Sequence, residues 1–215
     1  MVWNGGLTLE GWRGLRTESN GDQRSAPKRG VETTALILRA ALKLGTEVGF
    51  DALTVELLAE RTGIAKTTIY RRWPNISTVV MDAFLAEVDR AAPIVDLATA
   101  RESLTVSMKS LARLYRGPYG STLRVLIGRA QIDGELRSAV MTRWVEPRRA
   151  VARSIVRRGI VSKEIRGGLD PDLILDALYG PIYHRLLVPY ENIELSDSYI
   201  ENLVDTIFTG VAPAS

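Results

Sequence analysis

A short segment at residues 66–72, KTTIYRR, is rich in side-chain hydrogen-bond donors and contains no acidic residue. A cation such as Lys66 or Arg71 can pair with the O6 and N7 atoms of guanine, and threonine methyl groups can meet the methyl group of thymine. Lysine and arginine side chains also neutralise phosphates. These residue types in one short run indicate recognition of nucleic acid.

The residues before this segment indicate how it is positioned. Thr54 is a good N-cap, and an apolar stripe at helical spacing follows it. Gly63 tolerates a positive φ, so a helix can end there and the chain can turn. Two short helices joined by such a turn form a helix-turn-helix, whose second helix enters the DNA major groove. We therefore predict this motif over Thr54–Trp73.

The predicted recognition helix needs support, because an isolated helix of fewer than about 12 residues is marginal in water. Apolar residues at three- and four-residue spacing predict a first helix over Val31–Val48, capped by Thr33 or Thr34. Phe50 follows this helix and is expected to fill the core that it makes with the next two. A three-helix DNA-binding domain is therefore predicted over residues 30–76.

Composition and charge exclude several other classes of protein. The 215 residues include no cysteine and one histidine, so disulfides and thiolate metal sites are excluded, and no cofactor or metal is expected. No apolar run approaches the roughly 18 residues that span a bilayer, which predicts a cytoplasmic protein without a membrane partner. Residues 24–78, which include the predicted motif, carry nine basic and five acidic residues. This local excess of positive charge is what neutralisation of DNA phosphates requires. Residues 1–29 lack periodicity and are predicted to be a disordered tail whose basic end either contacts DNA or is solvated.

The remaining residues, 77–215, are predicted to form a body of further helices, because no segment shows the alternation typical of a strand. Ser77 can cap a connecting helix. The helices of the body are expected at residues 78–92, 100–116, 121–132, 135–158, 170–188 and 196–208. Pro147 and Pro181 lie inside two of these patterns and predict kinks. The fold class is therefore all-α, with about nine helices arranged as a head and a larger body.

A homodimer is expected because one recognition helix reads too few base pairs, and paired half-sites require paired heads. The broad apolar faces of the last two helices either complete the core of the body or form the partner interface. The candidate interface residues are Ile174, Leu178, Ile182, Tyr199, Leu203 and Ile207. Residues 137–166 carry nine basic and two acidic groups, whereas residues 170–205 carry eight acidic and one basic. These blocks are expected to attract one another weakly, within or between subunits.

The segment Thr54–Phe84, TVELLAERTGIAKTTIYRRWPNISTVVMDAF, resembles the DNA-binding signature of TetR-type transcriptional repressors. The matching features are the capping threonine, the Leu-Ala pair, the Gly-Ile turn, the Thr-Ile-Tyr sequence and the aromatic-Pro pair. Residues 170–190, DPDLILDALYGPIYHRLLVPY, are similar to the C-terminal domain of one TetR subgroup. The resemblance implies an Ω-shaped homodimer that binds a palindromic operator in double-stranded DNA. It also implies a C-terminal cavity in residues 77–215 for an unknown small-molecule effector that releases the DNA.

The resemblance assigns phosphate contacts to Thr54 and Tyr70 and contacts with the groove or its walls to other residues of the motif. The full set of candidate DNA contacts is Thr33, Thr54, Lys66, Thr67, Thr68, Tyr70, Arg71 and Arg72. Two residues depart from the family pattern. Ala65 stands where a serine often caps the recognition helix, and Ile76 stands where many members have a lysine that contacts the DNA backbone. Arg72 is a candidate replacement for that lysine.

The body contains large side chains with polar groups that are either core residues or ligand contacts. The candidate ligand contacts are Met108, Tyr115, Trp144, Tyr179, Tyr183 and His184. No nucleophile motif or metal-ligand set accompanies His184, so we do not predict an enzyme. The alternative to a repressor is a helical small-molecule-binding or interaction protein with weak or non-specific DNA binding. The two departures at Ala65 and Ile76 motivate that alternative.

Overall fold

The computed structural model describes residues 26–188 and 195–211, and it places no strand in either range. The predicted all-α fold class is confirmed. The chain divides into two compact units, one ending at Thr34 and one beginning at Ala35. None of the helices in the described ranges is both long and apolar enough to cross a membrane.

Four helices contain the predicted motif and its connector: α1 (Ala26–Val48), α2 (Val55–Thr62), α3 (Lys66–Tyr70) and α4 (Ile76–Ala91). The body that follows contains α5 (Ala100–Arg116), α6 (Tyr119–Ala130), α7 (Gly134–Val140), α8 (Glu146–Val161), α9 (Pro171–Leu187) and α10 (Asp197–Val211). A π-helical segment, Met141–Val145, joins α7 to α8.

The first helix begins earlier than its apolar pattern predicted. α1 starts at Ala26 rather than Val31, with a proline in its first turn, where proline is tolerated. Thr33 and Thr34 therefore lie inside the helix, and the prediction that one of them caps it was wrong; the Thr34 hydroxyl donates to the Gly30 carbonyl at 3.0 Å. The predicted disorder was also wrong for residues 26–29, and residues 1–25 lie outside the described residues.

The core of the head is built on close contact between α1 and the turn that follows it. Gly49 has φ 86° and ends α1, which places the buried side chain of Phe50 back against the helix. A Cβ atom on Gly45 would lie 2.1 Å from the Phe50 ring, so the ring packs directly on the α1 backbone. Phe50 therefore fills this core, as the sequence predicted.

The connector α4 is capped by a residue that the sequence analysis did not choose. Asn75 is the N-cap, and its Oδ1 accepts a hydrogen bond from the Thr78 backbone N–H at 2.9 Å. Ser77 instead lies in the first turn, and its hydroxyl oxygen is 3.3 Å from Nη1 of Arg129 in α6. The prediction of Ser77 as the cap was wrong because asparagine caps at least as well as serine, and Asn75 stands first.

The predicted long helix at residues 135–158 is divided around Pro147. Proline has no N–H, so the carbonyl of Arg143, four residues earlier, cannot receive its usual α-helical hydrogen bond. The backbone widens locally, and the Glu146 N–H donates to the Met141 carbonyl, which is the five-residue spacing of a π-helix. The predicted kink at this proline is therefore a π-helical insertion.

The last two helices pack on the body and make ion pairs with it. α9 is capped by Asp170, and Pro181 lies inside it. α10 continues through Gly210 to Val211, so the prediction that this helix runs to Phe208 and stops at Gly210 was wrong. Its acidic residues pair with α5 rather than with the basic block at 137–166: the pairs are Asp197–Arg113, Glu201–Lys109 and Asp205–Arg101. The predicted attraction between the two charge blocks is found at Asp172 and Asp176 of α9, which pair with Arg149 of α8.

Candidate nucleic-acid interface and body cavity

α3 holds the predicted donors on a helix of five residues. Its side chain Ile69 is 0% exposed and belongs to the same buried cluster as Leu58 of α2, which fixes the rotation of α3 about its axis. The residues with exposed side chains in and directly after α3 are Lys66, Thr67, Tyr70 and Arg71. Tyr70 is 48% exposed, which is high for an aromatic residue on a short helix, whereas Thr68 is half-buried. The buried isoleucine therefore directs most of the donors to solvent.

Thr54 has the geometry expected of a capping residue that can also meet a phosphate. Its hydroxyl oxygen accepts a hydrogen bond from the Leu57 backbone N–H at 3.2 Å, so the predicted cap is confirmed. The residue is exposed, and a hydroxyl that accepts one hydrogen bond still has its proton to donate. Gly63 ends α2 with φ 67°, as predicted.

An acidic residue of α2 lies beside the donors of α3. Lys66 Nζ is 3.1 Å from Glu56 Oε1, and both side chains are more than half exposed. The pKa of the Glu56 carboxyl is lowered, first by a hydrogen bond from its own backbone N–H and then by one from Lys66. Lys66 is therefore shared between Glu56 and any phosphate or guanine that approaches. This contact was not predicted, because Glu56 lies in α2, outside the segment of residues 66–72 that contains no acidic residue.

Both departures from the family pattern have structural consequences. Ala65 is the N-cap of α3, and its side chain accepts no hydrogen bond from the free backbone N–H groups at the start of that helix. Ile76 begins α4 and is half-buried against the hydrophobic core, so it stabilises packing where a lysine would face the DNA backbone. Arg72 is half-buried, and its Nη1 is buried without a hydrogen-bond partner among the described residues. Arg72 as a replacement phosphate contact therefore stays a prediction.

A carboxylate joins the end of the recognition helix to the body. Trp73 follows α3, is 5% exposed, and donates its indole N–H to Asp82 Oδ2 of α4 at 2.7 Å. The other oxygen of Asp82 pairs with Arg143 of the π-helical segment. No motif in the sequence marked these three residues as partners, because they lie up to 70 positions apart.

The body contains a cavity of about 70 Å³ between α5, the π-helical segment, α8 and α9. The residues that line it are Ile94, Leu111, Trp144, Val145, Arg148, Arg149, Ala152, Leu175, Tyr179 and Tyr183. Its walls are mostly apolar, with two arginines and two tyrosines among them. A cavity of this size holds a few water-sized groups.

Burial holds the tyrosines at the cavity in their neutral form. It raises the pKa of Tyr179 to about 12, against the opposing positive charge of Arg148. Burial likewise raises the pKa of Tyr183 and of Tyr115, whose ring centroid lies 6.3 Å from that of Tyr183. Each phenol therefore keeps its proton near neutral pH and can donate a hydrogen bond.

The structure brings together some of the predicted ligand contacts and separates others. Trp144, Tyr179 and Tyr183 line the cavity, and Tyr115 packs beside Tyr183. Met108 is fully buried in the core outside the lining, and His184 is exposed on α9, so neither is placed as a cavity contact. The two arginines of the lining were missed, although both fall in the basic block that the sequence analysis identified.

The predicted dimer interface is partly inconsistent with the structure. Ile174 is 3% exposed and lies in the lining of a groove with Leu173, Ala177 and Ile207. Leu178 and Ile182 are fully buried within the chain, so they cannot face a partner, and their prediction as interface residues was wrong. Their four-residue spacing marks the face of α9 that packs on the body. Tyr199, Leu203 and Ile207 of α10 are half-buried.

Comparisons with known proteins match nearly all of the described chain. Residues 37–80 match the family described as bacterial regulatory proteins, tetR family, and residues 94–207 match the tetracyclin repressor-like C-terminal domain. The chain is 38% identical to the uncharacterised HTH-type transcriptional regulator YdeS of Bacillus subtilis, over 85% of this chain and 91% of that protein. It is 26% identical to the DNA-binding transcriptional repressor TetR of Mycobacteroides abscessus, over 83% of this chain and 93% of that protein. The crystal structure of the TetR family transcription regulator SCO0332 is similar with a TM-score of 0.70 and 32% identity, over 85% of this chain and 100% of that chain.

Proposed function

Because the chain belongs to the TetR family of DNA-binding transcriptional regulators, we propose that it is a repressor controlled by a small molecule. In this proposal a homodimer binds a palindromic operator through α3, and an effector in the body cavity releases it. The head comprises residues 30–76 and the body residues 77–215. A regulator that reads chromosomal DNA works in the cytoplasm. The name of the relative in Mycobacteroides abscessus, a repressor, supports the direction of control.

The exposed donors of α3 carry the DNA-binding part of the proposal. Arg71 is exposed and has no ion-pair partner among the described residues, so its guanidinium is free for guanine or phosphate. Tyr70 presents a hydroxyl beside it. The two heads of a dimer would bring two copies of this surface to successive turns of the major groove.

The experiment is selection of bound sequences from genomic DNA, followed by titration of the purified dimer with the selected duplex. Arg71→Ala is expected to weaken specific binding by about 5- to 150-fold per head, since a bidentate arginine–guanine pair contributes about 1–3 kcal/mol. Arg157→Ala is the matched control, because Arg157 is also exposed but lies on α8. Selection of no sequence, or affinity that does not fall with added salt, would refute the DNA-reading role.

The outward faces of α9 and α10 are the proposed dimer interface. Leu173 is 61% exposed, and it borders a groove of about 260 Å³ with Ala177 and Ile207. An exposed apolar surface of this kind marks an interaction site. In a two-fold dimer the same patch of each subunit is buried against that of its partner.

Leu173→Glu tests the interface without disturbing the folded monomer, because the side chain is already largely in solvent. The variant is expected to elute as a monomer in size-exclusion chromatography with light scattering. Ile132→Glu is the control, since Ile132 is 90% exposed in the turn between α6 and α7. A dimer that survives Leu173→Glu would place the interface elsewhere.

The route from cavity to head supports release by a ligand. Trp144 lines the cavity and makes an edge contact with Phe84 of α4, with ring centroids 5.2 Å apart. Arg143, next to it in the chain, pairs with Asp82, which holds Trp73 at the end of the recognition helix. A ligand that displaces Trp144 therefore acts on α4 and on the exit of α3 together.

A further inference from the structure

The cavity contains one cation whose charge is not neutralised by the surrounding residues. Arg148 lines it, and one N–H of its guanidinium, on Nη2, donates to the Ala92 carbonyl at 2.8 Å. No carboxylate of the described residues lies within ion-pair distance, 4 Å, of Arg148. A guanidinium has five N–H donors in a planar fork that fits an oxyanion.

The neighbouring arginine on the same wall shows the opposite arrangement. Arg149 Nε is 2.7 Å from Asp172 Oδ1, and Arg149 Nη1 is 2.7 Å from Asp176 Oδ1. Arg149 is therefore neutralised by Asp176 together with Asp172, which it shares with Arg153. Of these two adjacent arginines at one cavity, Arg149 is paired with acidic residues of α9, whereas Arg148 donates to a neutral carbonyl.

A hydrogen-bond donor at the same cavity also lacks a partner. The hydroxyl oxygen of Tyr179 is buried and makes no hydrogen bond with the described residues. Leaving such a buried group unsatisfied destabilises the folded state, so its presence requires a reason. Its proton is retained at neutral pH, because burial raises the pKa of Tyr179 to about 12. The Tyr179 phenol is therefore placed to donate to an acceptor that enters the cavity.

The remaining walls limit the rest of the ligand. Leu111, Ala152 and Leu175 are apolar, and Trp144 adds an indole face. The unpaired charge is a single one, and a second negative charge in this site would be buried without a counter-ion. The cavity of about 70 Å³ holds an anionic head group and little more, so a larger body must displace a side chain such as Trp144.

We propose that the cavity binds a small monocarboxylic acid in its ionised form. The carboxylate lies between the Arg148 guanidinium and the Tyr179 hydroxyl, and an apolar aryl or alkyl body displaces the Trp144 indole and packs against Leu175. This inference rests on the proposed function, since it identifies the chemical class of the effector.

Calorimetry on the full chain tests the ligand class with matched acids and neutral amides. Benzoate and hexanoate are expected to bind at least 10-fold more tightly than benzamide and hexanamide. Arg148→Gln is expected to weaken binding of the acids by about 10- to 100-fold and to remove their advantage over the amides. Tyr179→Phe, which loses only a hydroxyl, is expected to weaken binding of the acids by about 2- to 10-fold. This variant tests the site independently if Arg148→Gln fails to fold. Arg124→Gln is the control, because Arg124 is exposed on α6 outside the lining.

The outcomes separate this inference from the repressor proposal. Amides that bind as tightly as acids, no detectable binding of either acid at millimolar concentration, or acid binding unchanged in both cavity variants would each overturn the inference. Titration of the selected DNA duplex with and without benzoate gives the second readout. Acid binding that depends on Arg148 but leaves DNA affinity unchanged supports the carboxylate site and refutes ligand release. Failure to select any DNA sequence refutes the repressor proposal alone.

Discussion

Asp82 offers the sharpest test of how the end of the recognition helix is held. Its Oδ2 accepts the Trp73 indole N–H at 2.7 Å, and its Oδ1 pairs with Arg143. Asp82→Ala removes both contacts and leaves the buried indole N–H without an acceptor. Asp82→Asn keeps an oxygen acceptor but removes the charge. The two substitutions therefore separate the hydrogen bond from the ion pair.

The expected magnitude follows from the two contacts. A hydrogen bond to a charged group contributes about 1.5–3 kcal/mol to the free energy of unfolding. The Arg143 side chain is 45% exposed, so its ion pair adds only about 0–1 kcal/mol. We expect Asp82→Ala to lower the free energy of unfolding by about 2–3 kcal/mol and Asp82→Asn to lower it by about 1 kcal/mol.

Urea denaturation in a double-mutant cycle with Trp73→Phe measures this directly, because phenylalanine lacks the donor. The two substitutions are expected to couple by about 1–2 kcal/mol, and Asp82→Ala is also expected to weaken operator binding. Asp89→Ala is the control, since Asp89 is exposed on the same helix and should change stability by about 0.5 kcal/mol or less. A coupling energy indistinguishable from zero would refute the assignment of Asp82 as the residue that holds Trp73.

Four further substitutions test local features of the fold. Ala65→Ser supplies the missing cap of α3 and should stabilise the protein by about 0.5–2 kcal/mol in urea denaturation; no gain would mean that the N–H groups of α3 are already satisfied. Gly159→Ala should lower the melting temperature, because its Cβ would lie 2.8 Å from that of Ala100, whereas Gly128→Ala meets open space in α6 and should raise it. The Asp197 pKa lies below its ordinary 3.8, chiefly because Arg113 donates a hydrogen bond to it. This contribution is fully present above pH 3.8 and is lost as the pH falls through the lower folded value, so Asp197→Asn should flatten the acid-induced fall in melting temperature below pH 3.8.

The sequence was sufficient for features that depend on near neighbours. Thr54 as a cap, Gly63 as a left-handed turn and Ala65 as an uncapped start all follow from residue type and position within a few residues. The cap of α4 was wrong only because two suitable residues, Asn75 and Ser77, stand close together. Local rules therefore locate the helix ends but do not rank competing caps.

Features that depend on contacts between residues far apart in the chain could not be predicted from the sequence. The interface prediction failed at Leu178 and Ile182 because an apolar stripe does not reveal whether it packs on its own body or on a partner. The pairing of Lys66 with Glu56 depends on the angle at which α2 meets α3. The unpaired charge of Arg148 is visible only once its neighbour Arg149 is seen to take both nearby carboxylates of α9. Charge counts along the chain could not distinguish those two arginines.

The π-helical segment explains why the cavity and the head meet at one place. Successive residues of a helix point in directions roughly 100° apart, so the adjacent residues Arg143 and Trp144 reach different neighbours. Arg143 reaches Asp82, and Trp144 reaches both the cavity and Phe84. Pro147 has no N–H to donate to the Arg143 carbonyl, so the segment departs from regular α-helical hydrogen bonding. Short π-helical segments of this kind are frequent at functional sites. A shift of this segment therefore changes the cavity wall and the support of Trp73 at once, which is the coupling that release of DNA by a bound acid requires.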